Sequence, residues 1–147
     1  MFNFKLQSVL NVRKTQEDKL LQEFSEKQEE LHKEHEHLKS IQQEKKLFID
    51  ELRGIQGKTV KVHEIAMNTD VIKKCQKSEA LQKENVKEAT KRVEEKRDSL
   101  LEAMKNRKTL ENLKSKQFQL HQSEANLLER TAIDEMAIGR HNRRERE

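Results

Sequence analysis

Apolar residues recur along the first third of the chain at alternating spacings of three and four. The frame runs Leu10, Arg13, Glu17, Leu20, Phe24, Lys27, Leu31, Glu34, Leu38, Ile41, Lys45, Phe48, Leu52, Ile55, and nine of these fourteen positions are apolar. That alternation is the seam of a coiled coil, in which one narrow stripe of each helix faces a partner. Leu6 and Val9 carry the stripe toward the start. A second run holds Val71, Ile72, Cys75, Val86, Ala89, Val93, Leu100, Ala103 and Leu110. Beyond it the apolar frame slips by three or four residues to Leu113, Leu120, Leu127 and Ile138, a shift that locally changes supercoiling.

The glycines punctuate this pattern. Gly54 and Gly57 lie close together in RGIQGKTV, and Gly139 precedes the charged stretch RHNRRERE. Glycine commonly follows a helix C-terminus, where a positive φ is needed. The expected elements are a helix over about 4–53, a turn over about 54–69, a second helix over about 70–138 and a charged flexible tail over 139–147. Thr59 is placed to cap a short turn, and Asn68 or Thr69 to cap the second helix. The expected fold is all-α, a single long two-helix antiparallel coiled-coil hairpin. The same pattern also fits two helices that pair with another copy of the chain.

Composition supports helices over disorder. Charged residues make up 39% and hydrophobic residues 32%, with no Trp, Tyr or Pro and five Phe. Such a chain can bury a seam but not a thick core, because large apolar side chains dominate core burial. Disordered segments are usually rich in proline, whereas helix interiors exclude it. The polar seam residues Arg13, Glu17, Lys27, Glu34 and Lys45 weaken the seam but specify register.

The net charge of +4 is spread over interleaved acids and bases, as on a solvated helix face. A nucleic-acid binder would more often carry a one-sided basic stripe, so no nucleic-acid partner is expected. Cys75 is the single cysteine, which excludes an intramolecular disulfide and suits a reducing compartment. The opening MFNFKLQSVLNVRKTQEDK lacks a signal-peptide apolar run, and no stretch approaches the ~20 apolar residues of a membrane span. A cytoplasmic protein without direct membrane insertion is expected.

Little in the chain suggests catalysis. The glycines form neither GxxxxGK[ST] nor GxGxxG, and two paired helices offer no concave site. Cys75 has no histidine at helical spacing, and the carboxylate pairs Glu29–Glu30 and Glu94–Glu95 read as solvation. The stretch HKEHEHL holds His32, His35 and His37, half of the six histidines. At ~100° per residue these point in diverging directions and cannot converge on a tetrahedral ion, so no metal or other cofactor is expected. Arg13–Glu17 and Lys14–Asp18 are spaced four apart and Lys108–Glu111 three apart, fitting local ion pairs.

Three stretches resemble a known family. FxLQSVLxVRKxxEDK at the start, RKxLExLKxKQ at 107–117, and the pair Asp134–Glu135 before the basic tail are similar in order and spacing to the FliJ family. Its members are soluble stalk proteins of the bacterial flagellar type III export apparatus. The resemblance implies an antiparallel coiled coil similar to the central stalk of rotary ATPases. It also implies three partners: a hexameric flagellar export ATPase, a membrane-embedded export-gate protein, and export chaperones freed of cargo. By that resemblance Phe4, Leu6, Leu10, Arg13, Lys14 and Glu17 belong to the ATPase-contacting end. Ile41, Phe48, Val71 and Cys75 approximate the gate contact by position, although the tyrosines often found there are missing. Arg107, Lys108, Leu110, Glu111 and Lys114 match the second motif, whose role is open. The implied location is cytoplasmic, at the inner face of the cell membrane. An injectisome stalk, a scaffold coiled coil and a basic RNA-binding rod are the alternatives.

Overall fold

The computed structural model describes residues 1–55 and 61–144, and all of them but 1–6 and 61 lie in helix. Helix α1 spans Gln7–Ile55 and α2 spans Val62–Arg144. With no proline in the chain, nothing removes a backbone N–H inside either helix. The two helices pack against each other as a helical hairpin. Cross-helix contacts set their direction: Gln7 meets Lys114, Glu17 meets Arg107, Glu23 meets Lys96, Glu34 meets Gln82, and Lys45 meets Glu79. As numbers rise on α1 they fall on α2, so the pairing is antiparallel.

The chain clusters into two compact units. One, the terminal unit, combines Met1–Glu17 with Glu102–Glu147; the other, the middle unit, is Asp18–Leu101. In the terminal unit Phe4 is buried ahead of the helix, and its carbonyl accepts the Gln7 N–H at 3.0 Å. Leu10, 2% exposed, and Leu110 continue the seam. In the middle unit Cys75, Ala89 and Leu100 are the buried apolar residues, with half-buried Leu31, Leu38, Ile41 and Val86 beside them.

On α1 every position of the three-four frame from Leu10 to Ile55 is buried or half-buried, the polar ones included. On α2 the same spacing continues through residues that apolar periodicity alone passes over. Glu79, Gln82, Lys96, Arg107 and Lys114 fill the frame between Cys75, Val86, Ala89, Val93, Leu100, Ala103 and Leu110. Burying such groups is costly unless each is hydrogen-bonded. Gln82, 3% exposed, donates to the Glu34 carbonyl at 3.0 Å and to its carboxylate, and accepts from Asn85 Nδ2 at 3.2 Å. Glu79 accepts from Lys45, from Gln42 at 3.2 Å and from Lys83 at 3.0 Å. Among the described residues no buried side-chain nitrogen or oxygen lacks a partner.

Several boundaries differ from the sequence reading. α1 starts at Gln7 rather than about 4 and runs through Gly54; α2 starts at Val62 rather than about 70 and runs through Gly139 to Arg144. Neither glycine has a positive φ, and a Cβ on either would meet nothing within 4 Å. A glycine inside a helix costs about 1 kcal/mol relative to alanine, too little to stop a long helix. Asn68 and Thr69 lie inside α2, where Thr69 Oγ1 donates back to the Ile65 carbonyl at 2.8 Å. Gly57 and Thr59 fall outside the described residues.

The slipped apolar frame also forms no seam within the chain. Leu120, Leu127 and Ile138 are 62%, 65% and 60% exposed, and Leu113 is exposed as well. The half-buried frame ends instead at Lys114, which pairs with Gln7, the first residue of α1. The expected local pairs Arg13–Glu17, Lys14–Asp18 and Lys108–Glu111 are replaced in part by contacts across the seam. Glu17 turns to Arg107, and Lys14 approaches Glu111 at 3.7 Å. Glu111 keeps one partner on its own helix, Arg107, and takes Lys14 from the other.

Two outcomes test this packing. Leu10→Ala removes a buried seam leucine and is expected to cost about 2–3 kcal/mol in urea unfolding. Leu127→Ala, on an uncovered part of α2, is expected to stay within about 0.5 kcal/mol of the parent. The second outcome concerns acid. Lys45, then Lys83 and Gln42, hold the Glu79 carboxyl down to about 2, well below its ordinary value of 4.5. A depressed carboxyl contributes stability that is present above its unfolded pKa and lost as pH falls through its folded one. Thermal melting of Glu79→Gln should therefore fall less steeply than that of the parent between about pH 4.5 and pH 2. Glu23, lowered by Lys96, leaves a residual slope in the variant.

Candidate functional site

The terminal unit brings together two stretches far apart in sequence. From α1 come Leu10 and Lys14; from α2 come Glu111, Lys114, Ser115 and Phe118; Phe2 closes the arrangement ahead of α1. Together they line a groove of about 470 Å³. The Phe2 ring meets Phe118 edge-to-face with centroids 5.4 Å apart, and lies 5.8 Å from the His121 ring. Such aromatic pairs add about 0.5–1.5 kcal/mol beyond burial, which anchors the segment before the first turn of α1.

Arg107 organises the charge beneath this groove. It donates through Nε to Glu17 and through Nη1 to Glu111 at 2.6 Å. Glu17 and then Glu111 raise the guanidinium above its ordinary pKa, so it stays charged at any working pH. Glu111 is shared with Lys14, and Lys114 Nζ donates to the neutral Gln7 Oε1 at 2.7 Å. Helical spacing explains the sharing. Arg107, Glu111 and Lys114 lie four and three residues apart on one face of α2, the face turned to α1.

The sequence-derived residues of the ATPase-contacting end divide by exposure. Phe4 and Leu10 are buried, Arg13 and Glu17 half-buried, and Leu6 and Lys14 exposed. Of the second motif, Arg107, Leu110, Glu111 and Lys114 face the seam and Lys108 is exposed. The two motifs thus meet in one unit, through Glu17–Arg107, Lys14–Glu111 and the groove. Sequence periodicity missed Phe2 and Phe118. Both lie off the seam frame, and their only sequence signal is that they are two of five aromatic residues in a chain poor in rings.

The middle unit holds a second groove, of about 550 Å³. Ile41, Val71 and Cys75, expected at the gate contact, line it together with His37, Lys74 and the exposed Leu81. Phe48, named with them from sequence, is half-buried and is not part of the lining. Polar and apolar groups share its lining, which suits a surface contact rather than enclosure of a small molecule.

The histidine stretch belongs to the solvated side. Leu31 and Leu38 face the seam, whereas His32, His35 and His37 are exposed. Among the described residues no three His, Cys, Asp or Glu side chains are placed to hold a metal ion. No described helix is long and apolar enough to cross a membrane.

Comparison with known proteins bears on the family alone. No curated protein and no solved structure matches the chain. A family model described as the flagellar FliJ protein matches residues 2–146, nearly the whole sequence and both motif stretches. The chain belongs to the FliJ family, whose members are non-catalytic components of the flagellar export apparatus.

Proposed function

We propose that the chain is a stalk and adaptor that binds the hexameric flagellar export ATPase, promotes its hydrolysis, links it to the membrane export gate and escorts export chaperones freed of cargo. The observation that carries this reading is the convergence of the two family motifs in one unit, where Arg107 ties Glu17 to Glu111 beside an open groove. A docking end needs a fixed constellation of side chains, and the cross-helix ion pairs fix this one. It also needs exposed cations that attract an acidic partner at long range, and Lys14 and Lys108 are exposed there. Contacts of this kind are individually weak, which lets a stalk exchange or turn within a ring.

The gate contact is assigned to the groove of the middle unit. Ile41, Val71 and Cys75 line one surface there, with exposed Leu81 offering apolar area to a partner. Phe48 takes no part in this assignment.

Two measurements test the reading. Stimulation of the purified cognate export ATPase should fall about tenfold in apparent affinity for Arg13→Ala/Lys14→Ala, and should weaken as salt rises. Absence of stimulation by the parent chain at low salt would sink the proposal. Separately, Val71→Asp should weaken binding to the soluble part of the export-gate protein while leaving ATPase stimulation unchanged. Equal loss of both activities would show that the two surfaces are not distinct.

A further inference from the structure

The two stretches that supply the groove of the terminal unit carry the chain's excess of positive charge, and Lys14 and Lys114 stand on the groove wall itself. Residues 1–17 and 102–118 carry eight bases (Lys5, Arg13, Lys14, Lys105, Arg107, Lys108, Lys114, Lys116) and three acids (Glu17, Glu102, Glu111). Their balance of +5 exceeds the +4 of the whole chain, so everything else sums to about neutral. Two of the three acids are already engaged, since Arg107 holds Glu17 and Glu111 and Lys14 adds to Glu111. Lys114, on the groove wall, gives its hydrogen bond to a neutral amide.

We infer that this groove receives an acidic protein segment that inserts one bulky apolar side chain against Phe2, Leu10 and Phe118 and sets its carboxylates on Lys114 and Lys14. The inference rests on the reading of the terminal unit as the ATPase-docking end, and it names the chemistry by which the ATPase is recognised there. Charge complementarity here is joined to an apolar volume. A basic surface alone would suit any polyanion. The groove of about 470 Å³ sets two rings and a leucine beside Lys14, Lys114, Ser115 and Glu111, which gives one bulky apolar side chain a place next to cations for its neighbouring carboxylates. The carboxylates would steer and orient the segment, and the buried side chain would set how long it stays.

The test measures binding of the full-length chain to the cognate export ATPase by fluorescence anisotropy at low salt, with circular dichroism to confirm helicity. Phe118 is about half exposed, so Phe118→Ala should leave the fold intact. Phe118→Ala and Lys114→Glu are each expected to weaken binding about tenfold. Phe118→Leu and Lys114→Arg should stay near the parent, as should Lys33→Glu in the middle unit. A photocrosslinking amino acid at Ser115 should capture an ATPase peptide in which an aliphatic or aromatic residue is flanked by Asp or Glu. If the parent binds but Phe118→Ala and Lys114→Glu bind equally well, the inference falls while the docking reading stands. Capture of a peptide without acids has the same consequence. No binding by the parent at low salt overturns both. Comparable binding of a 20-nucleotide single-stranded RNA, lost in Lys114→Glu, would assign the basic surface to nucleic acid and overturn the inference.

Discussion

The cross-helix pairing of polar seam residues is the constraint on which the structure depends. A two-helix seam buries too little apolar area to choose its own register, since leucine against leucine tolerates a slip of one heptad. Here a slip would separate Gln82 from Glu34, Glu79 from Lys45, Lys96 from Glu23 and Arg107 from Glu17. Each broken pair would leave a partly buried polar group without its partner, a cost comparable to the apolar gain of one seam position. The same residues discriminate against self-pairing. In a parallel pair of α1 helices in register, Glu17 would face Glu17, Glu34 would face Glu34 and Lys45 would face Lys45. Intrachain antiparallel pairing instead sets Glu17 on Arg107, Lys45 on Glu79 and Glu34 on the neutral amide of Gln82.

This explains what was and was not legible in the sequence. On α1 the three-four frame is complete once its polar members are included, and every one of them is half-buried; Glu17, Glu34 and Lys45 reach across to α2, whereas Arg13 and Lys27 bond along their own helix. On α2 apolar periodicity alone passes over Glu79, Gln82, Lys96, Arg107 and Lys114, although they stand in the same frame. A polar residue in a seam is recognisable only when its partner on the other helix is known, and register is not a local property. The glycines misled for a related reason. Gly54 and Gly139 signal a permissive backbone, but a helix stops only where another conformation is better satisfied. The leucines at 113, 120 and 127 show the opposite error: their spacing reveals a stripe and says nothing about what covers it.

The terminal groove was legible only in part. Lys14, Glu111 and Lys114 came from motif resemblance and Leu10 from both resemblance and periodicity, but nothing in the chain's pattern joined them to Phe2 and Phe118. Those rings meet because the segment before α1 packs against α2, a contact between residues more than a hundred positions apart. Long-range contacts of this kind leave no periodic trace. Their trace is compositional, since two of the five rings are placed outside the seam in a chain that has few to spare.

The groove and the seam are linked through Arg107. Its two carboxylate partners neutralise it, so it contributes little to the outward field, yet without it Glu17 would lose its cation and Glu111, on the groove wall, would keep only Lys14 at 3.7 Å. They would then offset Lys14 and Lys114, and the surface would lose much of its attraction for an acidic partner. Holding both acids with one buried-side cation leaves the remaining lysines to act at a distance. The residue that helps fix helix register in this unit therefore also keeps two acids from offsetting its lysines. A substitution there would alter recognition even if the two helices remained paired.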